Sequence, residues 1–231
     1  MKREINGKYK IDISAGKDRG FTIVELLVAM AISLIVMSSI YSVYRSQQKS
    51  YIVQEQVSMM QQNLRAGMTI MTGEIRMAGY VHPSVAATAG FTDADANTVT
   101  FTRLKDTLAL PLEQIQYSLV DIDGDGNNEL VRRFSDVGDP LGAAQRIAEN
   151  IDALNFVYLD IDGVKIDTPV PAANLPLIKS VQITMIARTK KKDQGYTDNN
   201  TYKNQQDEDI PTANDSYRRR VLSREIRCRN L

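Results

Sequence analysis

Residues 21–44 form an apolar run, FTIVELLVAMAISLIVMSSIYSVY, which contains one charged residue, Glu25, and neither glycine nor proline. An α-helix rises about 1.5 Å per residue, so the roughly 24 residues of this run reach about 36 Å and can cross a hydrocarbon core of about 30 Å. Strands of globular cores are much shorter than this. We therefore predict one membrane-spanning helix over residues 21–44.

A basic, polar leader, residues 1–20, precedes the run and ends in Lys17, Asp18, Arg19 and Gly20. Positively charged flanks stay on the cytoplasmic side of a membrane, which predicts export of the C-terminal part of the chain. A secretory signal carries its small-residue cleavage site after the apolar core. Here Gly20 lies before that core, and a cut there would remove the leader and keep the apolar helix as the mature N-terminus.

Glu25 is the one charge inside the predicted span. A carboxylate in lipid costs about 2.5–3.5 kcal/mol at the centre of a span and less near its end. Two interpretations follow. Glu25 either reaches the interface from one turn inside the helix or meets a positive charge that a partner supplies.

The segment from Gly20 to Val28, GFTIVELLV, resembles the prepilin cleavage and methylation motif of type IV pilins and type II secretion pseudopilins. It shares the basic leader, the Gly-Phe pair and the glutamate at the fifth mature position. The resemblance implies that a membrane prepilin peptidase cuts after Gly20 and methylates Phe21. It further implies that Glu25 pairs with the N-terminal amine of a neighbouring subunit during assembly.

The helix is expected to continue beyond the membrane as an amphipathic spine over residues 45–79. Steps of three and four residues place one set of apolar side chains on a single face: Val53, Val57, Met60, Leu64, Met68, Met71 and Ile75. Gly79, followed by Tyr80 and Pro83, predicts the end of this helix. We therefore expect a single helix of over fifty residues.

Residues 80–231 are expected to form a head built on antiparallel sheet, because period-two segments follow one another with short connections. Five to seven strands are predicted, in segments 99–104, 114–120, 129–134, 155–163 with a short return, 177–189 and the C-terminal residues. The fold class is thus α+β.

Residues 189–217 contain almost no aliphatic side chains and are predicted to be an exposed, mobile loop. Such a loop either faces a partner or ligand, or is a solvated excursion.

The segment 121–129, DIDGDGNNE, resembles the first nine positions of an EF-hand-type calcium loop. The candidate ligands are Asp121, Asp123, Asp125, Asn127 and Glu129. Position twelve, where such a loop needs a bidentate carboxylate, is Arg132, and the flanks read as strands. The alternative is a plain hairpin turn, in which Asp and Gly tolerate left-handed conformations. A bound Ca²⁺ would be structural, and no cofactor is required.

The composition gives no support for enzyme activity or nucleic-acid binding. Lysine plus arginine and aspartate plus glutamate both number 28, so the net charge is zero. No nucleophile elbow, phosphate loop or paired catalytic carboxylates are visible. One cysteine, Cys228, cannot form an internal disulfide and is expected to be an inert apolar residue.

Three further segments are similar to the PilW group of minor type IV pilins, whose relatives include the J-type minor pseudopilins of type II secretion: 64–80, 121–133 and 221–231. This resemblance implies a pilin lollipop, a helix with a sheet head, that primes or caps a pilus, with cell adhesion and motility as the associated processes. Its partners would be prepilin peptidase and other major and minor pilins or pseudopilins. It would be a single-pass protein of the bacterial inner membrane with a periplasmic head, and lie in the pilus or at the cell surface after assembly. The alternatives are a secretion pseudopilin and a membrane-anchored envelope binding protein that forms no filament.

Overall fold

The computed structural model describes residues 20–85, 87–105 and 111–231. One α-helix among them, α1, spans Ile23–Ile75 over 53 residues. The prediction of a single helix of over fifty residues is therefore confirmed. The chain divides into two compact units, Met1–Ser50 and Tyr51–Leu231, and α1 contributes to both. Of the predicted leader, only Gly20 lies within the described residues.

The second part of α1 buries the apolar face that the sequence predicts. Its buried members are Met60, Leu64, Met68, Met71 and Ile75, and its half-buried members are Val53 and Val57. Gly67 lies on the same face, where a Cβ atom would be 3.0 Å from Cδ2 of Leu130 and 3.2 Å from Cβ of Ala148. A glycine at this position lets the helix approach the strands closely.

The helix ends at Ile75, earlier than the predicted stop at Gly79. The N–H groups of Met77 and Ala78 donate to the carbonyls of Glu74 and Ile75 at 2.9 and 3.0 Å, which closes the helix in a tighter turn. Gly79 follows with a φ of +78°. Glycine adopts this left-handed conformation readily because it has no Cβ, so the residue marks the end of the turn instead of the helix.

The described residues contain eleven strands, with these bounds: β1 Phe91–Ala94, β2 Val99–Arg103, β3 Glu113–Val120, β4 Glu129–Asp136, β5 Gln145–Ala148, β6 Ile151–Leu159, β7 Lys165–Ile166, β8 Ser180–Arg188, β9 Tyr202–Lys203, β10 Asp209–Ile210 and β11 Arg219–Arg227. One antiparallel sheet has the order β1-β2-β3-β4-β5 and a second has the order β11-β8-β6-β7. A two-stranded ribbon pairs β9 with β10. The α+β fold class with antiparallel sheet is therefore confirmed.

The helix face and both larger sheets share one hydrophobic core. Met68 and Met71 of α1, Phe101 of β2, Ile115 of β3 and Ile183 of β8 are members of the same buried cluster and are at most 1 % exposed. Burial of apolar surface contributes about 25 cal/mol per Å². This continuous core is what holds the head together, since Cys228 is a free buried thiol and forms no disulfide.

The segment predicted as an exposed loop, residues 189–217, is partly buried. It carries the β9–β10 ribbon, and Asp198, Asn204 and Ile210 within it are buried. The expectation of an exposed loop is wrong at these positions. Polar side chains hold this segment in place where aliphatic ones are missing. A prediction based on the pattern of apolar residues cannot detect such polar contacts.

Candidate functional site

The predicted processing residues lie just before the start of α1. Gly20 and Phe21 have no helical conformation and are exposed, and Phe21 as a whole residue is 91 % exposed. A Cβ on Gly20 would meet no atom within 4 Å. The peptide bond between Gly20 and Phe21 is therefore accessible and is not held in the helical hydrogen-bond ladder.

Thr22 and Glu25 form a capping box at the first turn of α1. The backbone N–H of Glu25 donates to Oγ1 of Thr22 at 3.2 Å. In return, the backbone N–H and the hydroxyl of Thr22 both donate to Oε2 of Glu25 at 3.0 Å. This reciprocal pattern satisfies N–H groups that a helix start leaves without partners. The Thr-x-x-Glu spacing before an apolar run could have revealed it, but the sequence interpretation considered only the charge of Glu25.

The part of α1 that the sequence predicts to span a membrane presents apolar side chains on all sides. Every residue from Phe21 to Tyr44 is exposed. The hydroxyls of Ser33 and Ser39 donate to the carbonyls of Ala29 and Ile35, four residues earlier, at 2.7 and 3.0 Å. Within the described residues, α1 is the one helix long and apolar enough to cross a membrane. A helix with satisfied hydroxyls and an apolar surface fits membrane anchoring.

Three of the five predicted calcium ligands converge. One carboxylate oxygen each from Asp121, Asp123 and Glu129 lies within 4.8 Å of the others. Asp121 also accepts the N–H groups of Gly124 and Gly126 at 2.8 and 3.0 Å. These two bonds fold the loop back on its first residue.

The other two predicted ligands, Asp125 and Asn127, bond elsewhere. Asp125 accepts the N–H of Asn127 at 2.8 Å, and Oδ1 of Asn127 accepts from Nη2 of Arg188 at 2.5 Å. The guanidinium group of Arg146 pairs with two of the converging carboxylates. Its Nη2 lies 3.0 Å from Asp123 and 3.8 Å from Glu129. Three carboxylates suit a hard cation, but the arrangement equally suits a hairpin held by Arg146. The Ca²⁺ site stays a prediction.

A polar network joins the last turn of α1 to the five-stranded sheet. Oε2 of Glu74 accepts from the Tyr117 hydroxyl at 2.6 Å and from Nε of Arg132 at 2.8 Å. Oε1 of Glu74 accepts from Nη2 of Arg103 at 3.3 Å. Both arginines also face Glu113, at 3.1 Å from Arg103 and 3.6 Å from Arg132. Two carboxylates, two guanidinium groups and one phenol thus fix the helix end on β2, β3 and β4.

A second network is centred on Arg219, whose side chain is fully buried. Its Nε donates to Asp152 of β6 at 2.6 Å. Its Nη1 and Nη2 donate to the two oxygens of Asp215 at 2.8 and 2.9 Å, and Nη1 reaches Asp198 at 3.3 Å. One arginine therefore ties β11 to β6 and to two points of segment 189–217. The sequence interpretation did not identify either network.

Lowering the pH is expected to loosen segment 189–217 before the sheets unfold. Hydrogen bonds from Arg219 hold the pKa of Asp215 below its usual value. For Asp198, burial acts to raise the pKa, but hydrogen bonds from Tyr202, Asn200 and Arg219 outweigh it and the pKa is lowered. A lowered folded-state pKa contributes stability above the unfolded value of about 4, and this is lost as the pH falls through the folded value.

Amide hydrogen exchange at about pH 6 and about pH 3, corrected for the intrinsic rate, tests this expectation. Exchange between residues 193 and 215 should accelerate at the lower pH while the amides of β8 stay protected. Equal behaviour of the two regions would contradict it.

Cys228 is a free cysteine buried in the core. Burial raises the pKa of its thiol to about 12. The thiolate is the reactive form of cysteine, and it is hardly populated at neutral pH when the pKa is this high.

Comparisons with known proteins place these features in a family. Residues 16–41 match the model of the prokaryotic N-terminal methylation motif, and residues 117–230 match the model of the type IV pilus-assembly protein W. The fold is similar to a solved structure, a type IV-like pilin from Thermus thermophilus, with a TM-score of 0.54, 12 % identity and coverage of 74 % of this chain and 96 % of that chain. The chain is a type IV minor pilin of the PilW type. No curated protein is a significant match to it.

A PilW-type minor pilin acts in pilus assembly, and the prediction of that function is confirmed. Pilins are structural proteins without enzymatic activity, and their family implies interaction with other pilins and processing by a prepilin peptidase. The methylation motif in this pilin covers Gly20, Phe21 and Glu25 together with most of the predicted span. The second half of β3, the strands β4 and β5, and the whole second sheet lie within the PilW match.

Proposed function

We propose that this pilin primes or caps a type IV pilus after a prepilin peptidase has cut between Gly20 and Phe21. One observation carries the proposal. The methylation motif matches at residues 16–41, and the bond to be cut lies exposed ahead of α1, whose capping box begins directly after it. A peptidase needs an accessible segment outside a helix, and Gly20 and Phe21 are exposed and non-helical.

The proposed location is the inner membrane before assembly, with residues 21–44 as the single span and the head in the periplasm. Basic leader residues on the cytoplasmic side favour this orientation. On assembly the same apolar side chains would leave lipid and pack against the equivalent helices of neighbouring pilins, where van der Waals contact and hydrogen bonds drive association. Glu25 would then meet the N-terminal amine of a neighbouring subunit.

The first experiment is the N-terminal mass of the protein, isolated from membranes of cells that contain a prepilin peptidase. A chain that begins at N-methylated Phe21 is the expected result. A functional protein that retains Met1 would contradict the processing step and favour an anchored envelope protein. The partners that co-purify with the processed chain then separate a pilus from a secretion pseudopilus.

Two substitutions of Glu25 separate its charge from its capping role. Glu25→Gln keeps a capping-box side chain at this position, whereas Glu25→Ala removes both the cap and the charge. If the charge pairs with an amine, both variants should enter filaments at least about tenfold less than the unchanged protein, since a lost charge pair in lipid is not replaced. Immunoblotting of sheared filaments against whole membranes measures this ratio.

Thr22→Ala is the matched control, because it weakens the cap at a cost of about 1 kcal/mol but leaves the charge in place. It should still be incorporated. Normal incorporation of Glu25→Gln, combined with failure of Thr22→Ala, would show that Glu25 acts as a helix cap and would remove the pairing role.

A further inference from the structure

β11 is a long, regular strand at the edge of a sheet. It forms the end of the order β11-β8-β6-β7 and pairs with β8 alone, through nine consecutive residue pairs from Arg219↔Arg188 to Arg227↔Ser180. The other edge strands of the two larger sheets in the described chain are shorter. β7 has two residues, while β1 and β5 have four each and carry a register shift. Short or bulged edges resist the addition of another strand, and β11 has neither protection.

The register shows which backbone groups of β11 face outward. The Cys228 N–H donates to the Lys179 carbonyl at 2.8 Å, and the Thr189 N–H donates to the Arg218 carbonyl at 2.9 Å. Hydrogen-bonded and non-hydrogen-bonded pairs alternate along an antiparallel ladder. The even-numbered residues therefore bond β8, and the backbone groups of Val221, Ser223 and Glu225 point away from the sheet. The backbone groups of these three residues form no hydrogen bond with any other element of the described chain.

Arginines line this open edge. Arg220, Arg224, Arg227 and Arg229 are exposed, and none of them forms an ion pair with a residue that the structure describes. The one carboxylate of the strand, Glu225, accepts from Nε2 of Gln182 at 3.0 Å. Successive side chains of a strand point to opposite faces of the sheet, so Arg220 and Arg224 lie on one face and Arg227 on the other. An added strand would therefore meet positive side chains on both faces.

A cavity adjoins each end of the edge. One, of about 470 Å³, lies at the start of β11 beside Arg220, Val221 and Tyr202. The other, of about 410 Å³, lies at its end beside Arg227, Cys228 and Ile161. In strand addition the backbone supplies affinity and pockets for alternate side chains supply specificity. β11 offers open backbone groups along its length and one cavity at each end.

We propose that β11 is a docking edge for an extended acidic segment of a partner protein, which adds as a further strand to the β11-β8-β6-β7 sheet. Positive charge at the edge attracts an acidic segment and opposes a second copy of β11, because self-pairing would set arginines against arginines. The inference concerns the head alone and holds whether or not Gly20–Phe21 is processed, so it goes beyond the proposed function.

The test uses the full chain in detergent and a synthetic peptide of about ten residues that alternates glutamate with valine or threonine. Addition of the peptide should slow amide exchange at Val221, Ser223 and Glu225 at least about tenfold. Exchange at Leu222 and Arg224, which already bond β8, should not change. This alternation is specific for a new strand, and the matched lysine peptide should not produce it.

The double variant Arg224→Glu with Arg227→Glu should lower the affinity for the acidic peptide at least about tenfold. Arg65→Glu with Lys105→Glu is the matched control, since it changes the net charge equally at two exposed residues that form no hydrogen bond or ion pair with β11. Loss of affinity in both variants, or binding without the alternating protection, would overturn the proposal. A further outcome would also overturn the proposal. If a single-stranded oligonucleotide binds in a manner that depends on Arg224 and Arg227, and the acidic peptide does not bind, these arginines form a polyanion site instead of a docking edge.

Discussion

Replacing Arg219 by methionine is expected to lower the free energy of unfolding of the head by about 3–5 kcal/mol. The Arg219 side chain is fully buried and faces Asp152, Asp198 and Asp215 at distances between 2.6 and 3.3 Å. Without the guanidinium these carboxylates keep their desolvation and gain mutual repulsion. Removing one partner of a buried charge network lowers the free energy of unfolding by more than the intact network contributes to it, because the remaining charges are left buried without a counter-charge.

Denaturant unfolding of the full chain in detergent, followed by circular dichroism, measures the loss. Hydrogen exchange should show that segment 189–217 is affected first, because two of the three aspartates belong to it. Arg220→Met is the control, since the neighbouring side chain is exposed and its loss should stay within about 0.5 kcal/mol. A loss below about 1 kcal/mol for Arg219→Met would contradict the anchoring role.

Replacing Glu74 by alanine is expected to cost about 2–4 kcal/mol. The substitution removes the acceptor of the Tyr117 hydroxyl at 2.6 Å and of Arg132 Nε at 2.8 Å. Glu113 still faces both arginines, which limits the loss. Glu74→Gln should cost less, because an amide oxygen still accepts hydrogen bonds. Equal stability of the alanine variant and the unchanged protein would contradict the network's role.

Tyr117 provides a readout specific to this network. Burial, followed by the negative charge of Glu74, raises the pKa of Tyr117 above its usual value. A tyrosine with a raised folded-state pKa contributes stability that is fully present below about pH 10 and is lost as the pH rises further. Glu74→Ala should shift ionisation of this tyrosine to lower pH in an absorbance titration, whereas a variant that merely loosens packing elsewhere should not.

The apolar pattern predicted the helix and the main strands because burial follows local periodicity. The steps of three and four from Val53 to Ile75 match the buried face of α1, and segments 99–104 and 177–189 match β2 and β8. β6 begins at Ile151 instead of 155, since Asp152 interrupts the apolar run but pairs with Arg219. The short edge strands β1 and β5 carry too few residues to show a period.

The polar networks depend on contacts that no local pattern encodes. Arg132 meets Glu74 across 58 residues of sequence, and Asp152 meets Arg219 across 67. In the sequence, Arg132 occupies the position where a calcium loop needs a carboxylate. In the fold, Arg132 donates to Glu74 and fixes the end of α1. By contrast, the processing residues and Glu25 could be proposed from sequence, because their pattern is continuous and short.

The capping box has a consequence for the carboxylate of Glu25. All three hydrogen bonds with Thr22 involve Oε2 of Glu25 or its backbone N–H, and Oε1 accepts none from the described residues. A carboxylate has about four lone-pair sites on its two oxygens. One oxygen can therefore hold the first turn closed while the other is open to an ammonium group of a neighbouring chain. Under the proposed assembly step, the N-terminal amine of a neighbouring subunit would bind Oε1 of Glu25 while Oε2 keeps its hydrogen bonds to Thr22. The first turn of α1 would therefore stay intact when subunits join.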